Sequence, residues 1–177
     1  MLPPATDRIV DEEEKSVSKR SETLAARIEE GAKGLAAFVE KLTDAEWRKP
    51  MVTGNDRRTV GVVVHHVAFV YPIEIDLAKT IGGGKAADVT WDAVAELNAK
   101  HSKDQASITK AEALDFLRKN SKAAADAVRA MTDAELDTAA SFGLAYGAPV
   151  TAQFVIEDHP VRHSWHHLAK IKKALGK

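Results

Sequence analysis

The 177-residue chain contains no cysteine. That removes disulfides, thiolate zinc ligands and a cysteine nucleophile, and with them any argument about compartment from redox chemistry. An excess of one charge is missing too: 25 basic against 26 acidic residues give a formal net charge of −1, with a pI near 6.7. No global field draws such a chain to nucleic acid, and its lysines and arginines form no long stripe. There is no N-terminal apolar leader, and no uninterrupted apolar run approaches the ~20 residues that span a bilayer. The expectation is a cytoplasmic protein without nucleic-acid or membrane partners. Period-two alternation is also lacking, so no strand is predicted.

What remains is a globular balance, 45% hydrophobic and 29% charged residues, in a length that suits one domain with a substantial core. Residues 1–17, with Pro3, Pro4 and the acidic run Asp11–Glu14, read as a loose or partly helical arm before a single domain over residues 18–177. From Ser18 to Leu42, the apolar residues Leu24, Ile28, Leu35, Phe38, Val39 and Leu42 recur at helical spacing. Thr43–Glu46, Thr109–Glu112 and Thr132–Glu135 each match a capping box, in which Thr and Glu side chains satisfy free amides at a helix start. Residues 50–58 read as a loop. A second long helix follows from Thr59 to Ile81, closed by Gly82, Gly83 and Gly84. Lys85 follows this triplet, but no strand precedes it and the phosphate-loop spacing is missing, so it reads as a helix stop. A shorter helix spans Trp91 to Gln105, and a long one runs from Thr109 to Met131. Residues 136–149 read as an irregular connection before a last helix over Val150 to Leu175. Four long amphipathic helices with short extras predict an all-α fold, an antiparallel four-helix bundle.

Four of the seven histidines fall between His159 and His167. On a helix, His163 and His167 stand one turn apart on one face, where two imidazoles can grip one metal ion. The third ligand must come from elsewhere, and His65 and His66 interrupt the apolar second helix. There Val62, His66, Phe69, Val70, Ile73 and Leu77 form one stripe, which aims His66 at the bundle axis and turns His65 about 100° away. Taken alone, His66 is a buried histidine with a nearby acceptor. With His159, His163 and His167 on the inward stripe of the last helix, a shared divalent cation removes the cost of burying unpartnered imidazoles. The choice between His65 and His66, and between His166 and His167, stays open. Glu157 and Asp158 are candidates to orient an imidazole. Pro72 and Pro160 should bend or interrupt their helices beside the ligands. Trp47, Tyr71, Trp91, Tyr146 and Trp165 are candidate pocket aromatics.

Thr59–Ala68, with His66 seven residues after a helix-starting Thr, and the downstream His163–Ile171 segment together resemble the DinB/DfsB-like superfamily. The resemblance covers roughly residues 20–175. It implies a four-helix bundle holding a divalent metal, zinc or nickel first, through His66, His163 and His167. Lys170 stands where that pattern has Gln, and Arg58 where it has Trp. The resemblance further implies an enzyme that transfers or isomerises a small-molecule substrate with a low-molecular-weight thiol, with hydrolysis as the next reading and a homodimer as the assembly. A non-catalytic, stress-related metal- or ligand-binding bundle is the alternative. No general base stands out, and His166, His159, Asp158 and Glu157 are the nearest candidates.

Overall fold

The computed structural model describes residues 18–52 and 57–177. The arm at residues 1–17 and the middle of the 50–58 loop lie outside the described residues. Helix α1 (Lys19–Val39) starts at Ser18, whose side chain accepts from the Arg20 and Ser21 amides. A short α2 (Asp44–Trp47) leads into α3 (Val60–Gly82), then α4 (Trp91–Asp104), α5 (Lys110–Arg129) and a short α6 (Asp133–Asp137). All three Thr–Glu capping boxes form, before α2, α5 and α6. The C-terminal arm of the bundle is α7 (Ala152–Ile156) and α8 (Arg162–Leu175), joined by a π-helical turn over Glu157–Val161. Helices α1, α3, α5 and the α7–α8 arm pack as a four-helix bundle, with α5 against both α1 and α3, α8 against α1 and α7 against α3.

The structure corrects the sequence reading in three places. Residues 139–151 are not irregular: β1 (Ala139–Ser141) pairs antiparallel with β2 (Pro149–Thr151), with Ala140 opposite Val150. Strands of three residues carry too few side chains to show a period of two, so the pattern had no signal to give. The hairpin turn uses two left-handed residues, Tyr146 at φ 56° and Gly147 at φ 82°. The predicted last helix is broken rather than continuous. Pro160 has no amide to donate, and the chain widens into the π turn where a regular helix would need one. Pro72, by contrast, leaves α3 unbroken.

The third correction concerns which face of α3 is the core. Val60, Val63, Val64, Val67, Ala68, Tyr71, Ile75, Ala78 and Ile81 join the hydrophobic core. The stripe read as inward, through His66, Val70, Ile73 and Leu77, instead forms the wall of a cleft. The helix is buried around most of its girth, so apolarity alone did not single out one face. By length and composition α3 is apolar enough to cross a membrane, with a mean hydropathy of 1.4 over its best window, but 72% of that window is buried inside the protein.

The segment between α3 and α4 is fixed on the ribbon. The Ala87 amide donates to Ser141 O at 2.9 Å, and the Gly143 amide donates back to Ala87 O at 2.9 Å. A Cβ on Gly143 would meet Val89 O at 2.1 Å, so only glycine permits this approach. This places the start of α4 beside α3 and α8.

Trp47 of α2 lies on the first turn of α3 and donates its indole N–H to Ile108 O at 3.1 Å. A Cβ on Gly61 would fall 2.6 Å from that indole ring. Alanine raises helix propensity by about 1 kcal/mol, but a trapped ring resists more strongly. Gly61→Ala is expected to lower stability by about 1–2 kcal/mol, seen as a reduced urea midpoint; an unchanged or raised midpoint contradicts this packing.

Candidate metal centre

His66 sits in the second turn of α3, while His163 and His167 occupy successive turns of α8. One potential ligand atom from each lies within 4.8 Å of the other two. His66 and His167 are buried and His163 is half-buried. The ring centroids are 5.2 Å apart for His66–His163, 5.4 Å for His66–His167 and 4.8 Å for His163–His167. The three residues expected as ligands are therefore brought to one point.

A fourth group, missed in the sequence, braces them. Glu74 of α3 is buried, and its Oε1 stands 2.5 Å from His163 Nδ1. A carboxylate there accepts the Nδ1 proton, which fixes the tautomer with the lone pair on Nε2. That Nε2 faces His66 Nε2 at 3.2 Å. Two nitrogens each ~2.0–2.1 Å from one ion in tetrahedral geometry stand ~3.3 Å apart, so the observed spacing suits a shared ion. His167 Nδ1 and Glu74 Oε2 are buried with no hydrogen-bond partner. Leaving such atoms unsatisfied costs ~1–3 kcal/mol each, a cost that coordination at the cluster reduces. The donor set fits a divalent metal.

Burial is the leading cause that holds His167 neutral. It pushes the His167 pKa far below its usual value, helped by His163, His66, His166 and Arg58. Neutral imidazoles are the form that binds metal. One further bond sets the depth of α8 against α3: Tyr71 and Ser164, both fully buried, lie 2.7 Å apart through their hydroxyls.

The remaining candidates take other places. His65 is turned away: its Nδ1 is 2.8 Å from His101 Nε2, and its ring stacks on Phe116 at 4.9 Å. His101, also missed in the sequence, is the one buried residue of α4, and burial and then His65 push its pKa down to about 4. His166 is exposed and meets His167 edge-on at 5.2 Å. His159 lines the cleft, 3.9 Å from Glu74 Oε1 and 3.8 Å from Asp158. Asp158 pairs with Arg162 at 3.1 Å, while the exposed Glu157 accepts from Gln153. Neither acid holds an imidazole of the triad; Glu74 does. Of the candidate aromatics, Trp91 alone lines the cleft and donates to Leu144 O. Trp47 and Tyr71 are core residues, Tyr146 is exposed at the ribbon turn, and Trp165 lies against Gly31 of α1.

The cluster forms the floor of a cleft of about 480 Å³ between α3, α4 and α8. Val70, Leu77, Val94, Leu97 and Leu144 make its apolar wall, and Arg58, Arg162 and Lys170 bring positive charge to it.

With this geometry in view, comparison with known proteins decides the family. A family model described as the DinB superfamily matches residues 27–171. The chain belongs to the DinB superfamily. Among solved structures it is similar to YfiT from Bacillus subtilis, described as a probable metal-dependent hydrolase with an unusual four-helix bundle topology. That match has a TM-score of 0.69 at 23% identity and covers 98% of this chain and 91% of that one. It is also similar to a mycothiol-dependent maleylpyruvate isomerase, with a TM-score of 0.64 at 16% identity, covering 85% of this chain and 60% of the isomerase. No curated protein sequence matches the chain. At these identities the likeness to the two structures shows the shared DinB fold.

Two outcomes are expected. Glu74→Gln should weaken metal binding ~10–100-fold while keeping the fold, and His166→Ala should leave binding unchanged, both read by competition with a coloured chelator; equal affinity of Glu74→Gln and wild type removes the bracing role. Stability of chelator-treated protein should also fall with pH. An unfolded chain protonates its histidines near ~6.5, whereas burial lowers the pKa of His65, His101, His159 and His167 in the fold. The unfolded state then binds more protons below that pH, so stability is lost on acidification, with the His101 share continuing down to about 4. A urea midpoint that stays flat between about pH 7 and about pH 5 contradicts this.

Proposed function

We propose that the protein is a divalent-metal-dependent enzyme acting on a small molecule, by transfer or isomerisation with a low-molecular-weight thiol. The observation that carries this reading is the convergence of three imidazoles on the floor of a solvent-accessible cleft. A closed structural site surrounds its ion with protein ligands, whereas three ligands facing a cleft leave a position for water or substrate. A nitrogen-rich, thiolate-free set suits zinc or nickel. When bound, such an ion acts as a Lewis acid and lowers the pKa of a bound water or thiol.

The chain's own residues supply the rest. Glu74 holds His163 in one tautomer and orientation. The apolar wall from α3 and α4 offers a surface for the apolar part of a substrate. His159 faces the cleft beside Glu74 and Asp158, and burial lowers its pKa and keeps it in the neutral form, whose free ring nitrogen can accept a proton. The fold likeness to a thiol-dependent isomerase supports the thiol reading. Hydrolysis is the second reading, supported by the description given to YfiT. Under either, the partner is a small molecule met in the cytoplasm.

His66→Ala and chelation of the wild type test the catalytic role against a structural one. Both should abolish turnover in a screen of thiol-dependent transfer and of hydrolysis, while helical content is kept and the two metal-free proteins melt alike. Unfolding on chelation instead assigns the metal to structure.

A further inference from the structure

The cleft has two unlike walls. Its charged side chains come from Arg58, the π turn and α8, apart from Glu74 at the metal cluster. Beyond His66, the α3 wall is otherwise apolar. Val70, Ile73 and Leu77 follow His66 at spacings of four, three and four residues, which is one face of the helix. From His66 to Leu77 that face rises ~16 Å. Helix α4 supplies a matching stripe of Trp91, Val94 and Leu97, and only Asn98 is polar among the residues it adds to the lining.

The two stripes run side by side from the metal to the ribbon. At the metal end, His101 of α4 lies 2.8 Å from His65 and packs on Phe69 at 4.7 Å between centroids. At the far end, the Trp91 indole donates to Leu144 O at 3.2 Å on the ribbon. Between these anchors α4 rises ~15 Å. Both ends of α4 are thus propped, and the space between the stripes stays open. Ile73, Val94 and Leu97 are half-buried, and none of them joins the hydrophobic core of the described residues. Apolar side chains held open to a groove are unfavourable in water, and a contiguous set of them marks a binding surface. A space of about 480 Å³ is too small for a partner helix, which is ~10 Å across, but it is the size of a small-ligand pocket.

We propose that this track is a tail subsite. The substrate is an elongated apolar chain with its reacting polar group at one end, laid between α3 and α4 with that group at the triad. Ile73, Val94 and Leu97 determine the length and polarity of the chain accepted. The proposal rests on the metal-enzyme reading, since the triad marks which end of the track reacts.

The test is calorimetric titration of the zinc-loaded full chain with butano-, hexano- and octanohydroxamate, whose head group chelates a divalent ion. Affinity should rise about tenfold from each ligand to the next as methylene groups enter the track. Val94→Trp fills the track ~10 Å along α4 from His101. It should weaken octanohydroxamate at least about tenfold and leave butanohydroxamate unchanged. Ala95→Trp, an exposed change outside the cleft lining, is the control for bulk on α4 and should alter none of the three. Equal affinities across the wild-type series overturn the proposal without recourse to any variant. Loss of all three ligands alike in Val94→Trp overturns it too. Failure of the metal reading looks different: zinc is not retained, while butanol, hexanol and octanol still bind the chelator-treated protein in order of length. No length dependence among the alcohols removes the track itself.

Discussion

The contact between Glu74 and His163 is the interaction on which the site depends. Burying a carboxylate is costly unless it is paired, and here an imidazole on another helix lies within hydrogen-bond reach of Glu74. The pair fixes which nitrogen of His163 carries the proton and turns its Nε2 toward His66. Together with the buried Tyr71–Ser164 bond, it sets α8 at one depth along α3. Were α8 to slip by one residue, side chains would rotate by about 100° and the three imidazoles would no longer converge.

That arrangement also explains why so many histidines are tolerated in the interior. His65, His66, His101 and His167 are all buried. His65 and His101 share a hydrogen bond and pack their rings on Phe116 and Phe69, so they behave as a small aromatic cluster that ties α4 to α3. His66, His163 and His167 make a different case, because a potential ligand atom of each lies within 4.8 Å of the other two and Glu74 braces one of them. The two sets are neighbours, with His66 and His101 centroids 5.7 Å apart. Position on the helix decides their roles: His65 faces α4 and His66 faces α8. Helix α4, otherwise largely exposed, then roofs the cleft between its His101 anchor and the Trp91–Leu144 bond.

Much of this was legible in the residues. The three Thr–Glu boxes marked helix starts because capping is local chemistry that tertiary context rarely overrides. The His163/His167 pair was legible because one-turn spacing on a helix is geometry, and His66 followed from the need for a third ligand. Glu74 was not seen, although an acid eight residues after His66 in an apolar helix was a usable signal. Its meaning depends on a contact 89 residues away along the chain. His101 gave no signal, since its burial comes from the packing of α4 rather than from any stripe. The choice of core face on α3 failed because a helix buried nearly all round has a weak amphipathic preference.

The central claim is that one divalent ion joins His66, His163 and His167. Anomalous diffraction from crystals of protein purified without a histidine tag tests it most directly. The account predicts a single strong peak ~2.0–2.1 Å from one nitrogen of each of the three rings, with Glu74 still on His163. A map with no peak among these rings, or with each imidazole bonded to a separate acceptor, contradicts it.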